Sequence, residues 1–134
     1  MSMTDFGNES AARSMIDTPL IRGLERVLDL SASRHQVIAA NLANIDTPGY
    51  RTRDLRPFAG EMERAMAGES ADASFTPVTH ELGGLLERPD GNNVSVERES
   101  LLLAQNQLRF QVAVQFLKAE FHRLSSAISG GSGS

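Results

Sequence analysis

Apolar side chains recur every seven residues in two separate stretches of the chain. The first stretch covers residues 18–46. Two interleaved rows of positions form one face there: Ile21, Leu28, His35 and Leu42, and Leu24, Ser31, Ile38 and Ile45. This spacing predicts an amphipathic helix with the apolar face of a coiled coil. Asp17 or Thr18 can cap its start, where Pro19 suits the first turn.

The second stretch, residues 94–129, carries the longer pattern. Its apolar positions are Val96, Leu103, Phe110, Leu117 and Leu124, joined by Val114, Phe121 and Ile128. Acidic residues lie near its start and basic residues near its end, which agrees with the helix dipole and predicts one continuous helix. Such a helix is roughly 50 Å long, whereas a compact globule of this size is about 36 Å across. We therefore expect an elongated molecule.

Together the two patterns predict a mainly all-α protein, in which long N- and C-terminal helices pair as an elongated antiparallel coiled coil. We expect the pairing residues to be Ile21, Leu24, Leu28, Ile38 and Leu42 of the first helix and Leu103, Phe110, Val114, Leu117, Phe121 and Leu124 of the second. The consecutive leucines 101–103 fan over about 200° of the helical wheel, more than one partner helix can cover. The remaining apolar surface predicts association with other chains.

The rest of the chain is less regular. Residues 1–17 are predicted to be a flexible segment, and residues 130–134 a flexible Gly/Ser tail. Between the helices, residues 47–93 are predicted to hold a turn motif, a short helix over Leu55–Ala67 and an irregular middle. A strand around Phe75–Thr79 is compatible with its proline only at the edge of a sheet.

Composition and charge exclude several function classes. The formal net charge of −4 and the scattered basic residues argue against a nucleic-acid partner. The chain has no cysteine, which excludes disulfides and thiolate zinc sites. No stretch approaches the roughly 18 to 20 apolar residues that insert into a membrane, and residues 1–17 lack the apolar core of a signal peptide. If the protein leaves the cytoplasm, it must therefore use an export route that does not depend on a cleaved signal peptide.

Candidate catalytic and metal-binding patterns fail on inspection. His80 and the glutamate after it begin a zinc-protease pattern, but Gly84 stands where the second histidine must be. Asp90 and Asn92 begin like a calcium loop, yet Val94 occupies a ligand position. The three histidines lie in different segments. We predict no enzymatic activity, no cofactor and no metal site.

The most distinctive polar motif lies where the first helix must stop. Thr47 precedes a proline, which pushes its backbone out of the helical region and ends the helix at about the preceding residue. Pro48 and Gly49 are the residues that a type II turn requires at its centre. Asn41 and Asn44 can hydrogen-bond loose carbonyl groups or neighbouring chains near the helix end.

This motif resembles the signature of bacterial flagellar rod and hook proteins. It is carried by Asn41, Leu42, Asn44, Thr47, Pro48, Gly49 and Tyr50. The sequences of residues 51–55, 90–94 and 106–111 are similar to those of proximal rod proteins. The resemblance covers roughly residues 20–55 and 90–128.

The resemblance implies a structural subunit of the proximal rod, in which the terminal helices stack side by side into a hollow shaft that transmits torque and surrounds the export channel. It implies contacts with further copies of the chain, other rod proteins, the adaptor FliE, the MS ring and the flagellar export gate. It also implies a periplasmic location, reached through the flagellar type III apparatus without cleavage of a signal peptide.

A second hypothesis, from a different class, is a cytoplasmic helical adaptor or export chaperone that binds partner helices. Apolar stripes suit both classes of protein. The motif from Asn41 to Tyr50 favours the rod subunit, because a chaperone has no need of it.

Overall fold

The computed structural model describes residues 18–56, 60, 62–64, 67 and 78–132. They form two long helices and two short strands: α1 (Pro19–Ala43), β1 (Arg53–Arg56), β2 (Val78–Glu81) and α2 (Val96–Ser132). Residues 60 and 62–64 are also helical. The predicted flexible segment 1–17 and the last two residues of the predicted tail lie outside the described residues.

Helix α1 starts and stops through side-chain caps. The Thr18 Oγ1 accepts a hydrogen bond from the Ile21 amide at 3.2 Å, so Thr18 rather than its neighbour is the N-cap. The helix ends at Ala43, earlier than the predicted 46. The reason is Asn44, whose backbone N–H turns back to the carbonyls of the last helical turn and whose side-chain amide donates to the Ala40 carbonyl at 2.8 Å.

Helix α2 begins two residues later than predicted and continues further. Ser95 is outside the helix, and its Oγ accepts a hydrogen bond from the Arg98 amide at 3.2 Å. Glu97 and Glu99 lie in the first turn, as the dipole argument requires. At its other end the helix continues through two glycines to Ser132, so three residues of the predicted Gly/Ser tail are helical, although glycine is a poor helix former.

The two helices pack against each other in opposite directions, which confirms the predicted antiparallel pair and the mainly helical fold class. Asn106 donates to the Ser31 carbonyl at 2.7 Å, and Asn41 donates to Glu99 at 3.0 Å. A later residue of α1 thus contacts an earlier residue of α2. In the described part of the chain, neither helix is long and apolar enough to cross a membrane.

A small sheet covers one end of the helix pair. β1 and β2 run antiparallel, with Arg53 opposite Glu81 and Arg56 opposite Val78. The short helix predicted over Leu55–Ala67 is therefore wrong at its start, because Leu55 is a strand residue. Its side chain is buried in the core with Val27, Leu30, Met62 and Ala113. The strand predicted around Phe75–Thr79 is observed from Val78 onward, and residues 75–77 lie outside the described part.

The buried face of α1 shows one of the two predicted rows displaced by one residue. Ser31 and Ile38 are buried as expected, but Val27, Arg34 and Asn41 are buried in place of Leu28, His35 and Leu42. This displacement moves that row by about 100° around the helix, while the row of Ser31 and Ile38 keeps its place. Arg34 and Asn41 turn inward because each has polar partners on β1, whereas His35 has none there and is exposed.

On α2 the most buried row is largely polar. Its members recur every seven residues: Glu99, Asn106, Ala113 and Glu120. The predicted pairing residues flank this row. The half-buried ones are Leu24, Leu28, Leu42, Leu103, Val114, Leu117 and Leu124. Ile21 is buried, while Phe110 and Phe121 remain 40% and 43% exposed.

Candidate functional site

The end of α1 passes into the predicted type II turn. The Tyr50 amide donates to the Thr47 carbonyl at 3.2 Å, which closes the turn. Gly49 has a φ of +74°, the left-handed conformation that this turn requires at its third residue. The Thr47 amide donates to the Asn44 carbonyl at 3.1 Å and links the turn to the first residue after the helix. The sequence therefore fixes both the stop of α1 and the direction in which the chain leaves.

A second tight loop, residues 88–93, docks against this turn. The Gly91 amide donates to the Arg88 carbonyl at 2.9 Å, and Gly91 has a φ of +83°. The Gly49 amide donates to the Asp90 carbonyl at 2.8 Å, and the Asn93 amide donates to the Tyr50 carbonyl at 3.3 Å. The two turns are therefore joined through their backbones, although about forty residues separate them in sequence.

Asn92 donates to carbonyl groups of the segment that follows α1. Its side-chain amide lies 2.9 Å from each of the carbonyl oxygens of Asn44, Ile45 and Thr47, and the residue is completely buried. The Asn92 Oδ1 accepts from the Val94 amide at 2.8 Å. Arg88 also donates to the Ile45 carbonyl. These carbonyls belong to the segment that follows α1, and a loop that is distant in sequence supplies their donors.

Asn93 connects the same loop to the residue that precedes β1. The Thr52 amide donates to the Asn93 Oδ1 at 2.6 Å, and the Thr52 hydroxyl donates to the Asn93 carbonyl at 3.1 Å. The Thr52 carbonyl accepts from the Leu82 amide at 2.9 Å, just after β2. Both Thr52 and Asn93 are buried. The loop is thus held between α1 and the sheet.

Asn41 connects three elements through one side chain. Its amide nitrogen donates to the Arg53 carbonyl at 2.8 Å and to Glu99 at 3.0 Å. Its oxygen accepts from the Arg53 amide and from the Tyr50 hydroxyl, each at 3.1 Å. These four bonds use the whole hydrogen-bonding capacity of an asparagine side chain. We call the group Asn41, Thr52, Asn92, Asn93 and Glu99 the polar clamp.

Charged side chains buried within the clamp and beside it are paired. Glu99 is fully buried and also accepts from Arg98 at 2.6 Å. Arg34 forms a bidentate salt bridge with Asp54, in which its Nε lies 3.1 Å from Oδ1 and its Nη2 lies 2.8 Å from Oδ2. Removing one partner of such a pair leaves an uncompensated charge, which costs far more than the pair contributes.

Tyr50 lies against the clamp with its hydroxyl bonded to Asn41. Burial raises the pKa of Tyr50 above its usual value of 10.0, the Arg53 charge lowers this pKa, and the Glu99 charge raises it. The neutral phenol is therefore the form that fits the folded chain.

The structure brings together most of the predicted signature residues. Asn41 is in the clamp, while Asn44, Thr47, Gly49 and Tyr50 build the adjoining turn. Leu42 is half-buried and Pro48 is exposed. At this helix end the side chains of Asn41 and Asn44 donate to carbonyl groups of their own chain. Of the two kinds of partner that the sequence left open, carbonyl groups or neighbouring chains, the structure shows the first.

Sequence reasoning missed four members of the clamp as site residues: Thr52, Asn92, Asn93 and Glu99. The available signal was the pair of asparagines directly after a glycine turn and before a helix. Among the described residues, no three His, Asp or Glu side chains converge as metal ligands. The arrangement positions backbone segments, and its chemistry is that of hydrogen bonds and ion pairs.

The helix pair and its signature place the chain in the class of flagellar basal-body rod proteins. The family model described as "Flagella basal body rod protein" matches residues 28–51. This range holds most of α1, the type II turn and the first residues beyond it. The matched segment therefore ends where the polar clamp is built.

Individual relatives define the family more narrowly. The chain is 32% identical to the flagellar basal body rod protein FlgB of Escherichia coli strain K12, 31% to that of Salmonella typhimurium and 30% to that of Bacillus subtilis strain 168. Each alignment covers 83% of this chain and 94% of the relative. The chain belongs to the FlgB family of rod proteins. It is a structural protein of the flagellar basal body, built to assemble with other basal-body components.

Alanine substitutions at three glycines should separate backbone strain from crowding. Gly49→Ala has free space for a side chain but a positive φ, so we expect a loss of about 1–2 kcal/mol in the free energy of unfolding. Gly91→Ala should cost more, because its φ is also positive and its new Cβ would lie 3.3 Å from the Gly49 Cα. Urea unfolding followed by circular dichroism measures both.

Gly83→Ala is the matched control, since it has neither a positive φ nor a close neighbour. It should change stability by less than about 0.5 kcal/mol. Equal effects at Gly49 and Gly91, which share the positive φ, would contradict the close contact of the two turns.

The ionisation of Tyr50 should report directly on the clamp. The chain has one tyrosine and no tryptophan, so the ultraviolet absorbance of phenolate belongs to this residue alone. We expect its pKa to lie above 10 in the folded chain and to return to about 10 in urea. Because the folded pKa is raised, the associated stability is present at lower pH and is lost as pH rises through it. An unchanged titration in urea would show that Tyr50 is not buried against the clamp.

Proposed function

We propose that this chain, as a structural subunit of the proximal rod, polymerises through its terminal helices into the hollow shaft that transmits torque and surrounds the export channel. One observation carries this proposal: the buried row of α2 is largely polar, and large apolar residues cover the outer face of that helix. Leu101, Leu108 and Phe116 are about 60% exposed on α2, at 59%, 62% and 61%. Contiguous apolar surface of this kind marks an interface with other chains.

The clamp supports the proposal by giving the helix pair a fixed geometry. A subunit of a shaft must hold its own shape so that neighbours meet at constant angles. The clamp joins α1, β1 and α2 at one end of the pair through bonds that lie within the chain. The signature residues thus hold the shape of the subunit, and they affect assembly through that shape.

The partners that we propose are further copies of the chain, other rod proteins, the adaptor FliE, the MS ring and the export gate. The proposed location is the periplasmic base of the rod, reached through the flagellar type III apparatus without a cleaved signal peptide. Membership of the FlgB family supports these assignments. No catalytic step, cofactor or nucleic acid is part of this role.

A test should distinguish a rod subunit from a cytoplasmic adaptor or export chaperone. We expect the chain to co-purify with isolated basal bodies with its first residues intact, and its deletion to leave rings without rods. Loss of the deletion phenotype on restoring the gene is the control. Recovery of the chain only from the cytoplasm, bound to exported proteins while rods still form, would favour the adaptor.

A further inference from the structure

Helix α2 extends beyond the start of α1. Two hydrogen bonds between the helices give their register: Asn41 with Glu99, and Asn106 with Ser31. Because both helices rise about 1.5 Å per residue, Pro19 at the start of α1 lies opposite about residues 118–121 of α2. Helix α2 continues to Ser132. We call its residues 121–132, about 18 Å of helix that α1 does not cover, the overhang.

The overhang carries an apolar face. At 100° per residue, Phe121, Leu124 and Ile128 fall within about 60° of one another. They lie on the same side of α2 as its largely polar buried row, which is the side that faces α1. Phe121 and Ile128 are 43% and 57% exposed, and Leu124 is half-buried. The surface that packs on α1 therefore continues, in apolar form, past the point that α1 can cover.

The part of the chain that precedes α1 is tethered beside this face. Thr18 is the N-cap of α1, so residues 1–17 begin their path near the start of the overhang. Their length suffices to follow it, because about 12 residues cover 18 Å even as a helix and fewer do so in an extended chain. Only one residue separates Met15 and Ile16 from Thr18. These two apolar side chains therefore come within reach of the overhang in either conformation.

The charges of the two segments are complementary. Residues 1–17 contain three acidic residues and one basic residue, so their side chains sum to −2. Residues 118–132 contain Lys118 and Arg123 against Glu120, and their side chains sum to +1 with histidine neutral. Opposite charges attract the two segments to each other, whereas the overhang of a second copy would bring like charges together.

We propose that residues 1–17 continue the path of α1 along the overhang, where Met15 and Ile16 pack on Phe121 and Leu124. A tethered segment has an effective concentration in the millimolar range, so it occupies this face ahead of a second copy in dilute solution. The composition of residues 1–17 alone predicts a flexible segment, because it does not take the apolar face of α2 into account. The contact lengthens the helix pair and leaves the outer face of α2 for neighbours.

Cross-linking in the full chain tests this contact, because the chain contains no cysteine of its own. Ser14→Cys is combined with Ser125→Cys or, as the matched control, with Ser126→Cys. Both serines of the overhang are exposed, but Ser125 lies about 70° from the centre of the apolar face and Ser126 about 170°. With a short bifunctional maleimide and dilute protein, we expect the Ser125 variant to cross-link within one chain at least about tenfold faster.

Two outcomes would overturn the contact. Equal rates for the Ser125 and Ser126 variants would show that residues 1–17 reach both sides of α2 and are not docked on one. Cross-linked dimers in place of the product within one chain, with a yield that rises with protein concentration, would identify a second copy as the occupant. The measurement uses the isolated chain, so its failure would leave the proposed role in the rod untouched.

Removal of the two apolar anchors provides an independent test. Met15→Ser with Ile16→Ser, added to the Ser125 variant, should lower its cross-linking rate to that of the Ser126 variant, because no apolar side chain next to Thr18 remains to pack on the overhang. Met3→Ser is the matched control, since it removes an apolar side chain far from Thr18, and it should leave the rate unchanged. Helical content should be equal in all variants. An undiminished rate without Met15 and Ile16 would contradict the proposal.

Discussion

The structure depends on one asparagine side chain that reaches three elements. Asn41 holds the backbone of β1 through both the amide and the carbonyl of Arg53, accepts from Tyr50 and donates to Glu99 of α2. No smaller or apolar side chain could satisfy both a donor and an acceptor of the same strand residue. The register of α1 against α2, and the place where β1 begins, both follow from this side chain. Asn92 completes the arrangement by holding the segment that follows α1.

The largely polar buried row of α2 has a direct consequence for the outer face of that helix. Positions that would carry leucine in an ordinary coiled coil are occupied by Glu99, Asn106 and Glu120 on α2. The leucines and phenylalanines of that helix are displaced to its flanks and its outer face. The isolated chain therefore exposes the apolar area that assembly can cover. A subunit built in this way has a specific shape from its polar contacts and an affinity for neighbours from its apolar ones.

The sequence predicted the long helices and the turn because their signals are local. Heptad spacing marks α1 and α2, and the Pro48–Gly49 pair specifies a type II turn whatever surrounds it. Periodicity alone could not show whether Arg34 or His35 is buried, because the two residues are adjacent in sequence. The choice depends on the contact of Arg34 with Asp54, twenty residues away. The pairing of β1 with β2 was missed because it also depends on residues far apart in sequence, since no tight turn joins the two strands. Asn92 and Asn93 were visible as a turn, but their partners, just after α1 and just before β1, lie more than forty residues away.

The central claim is that Asn41 and Glu99 join the two helices within one chain. A double-mutant cycle with Asn41→Ala, Glu99→Ala and the double variant, measured by urea unfolding of dilute protein, tests it most directly. We expect a coupling of at least about 1 kcal/mol between the two substitutions, because each removes the partner of the other. Additivity within about 0.5 kcal/mol would contradict the account. It would mean that the signature asparagine does not hold the helix pair together.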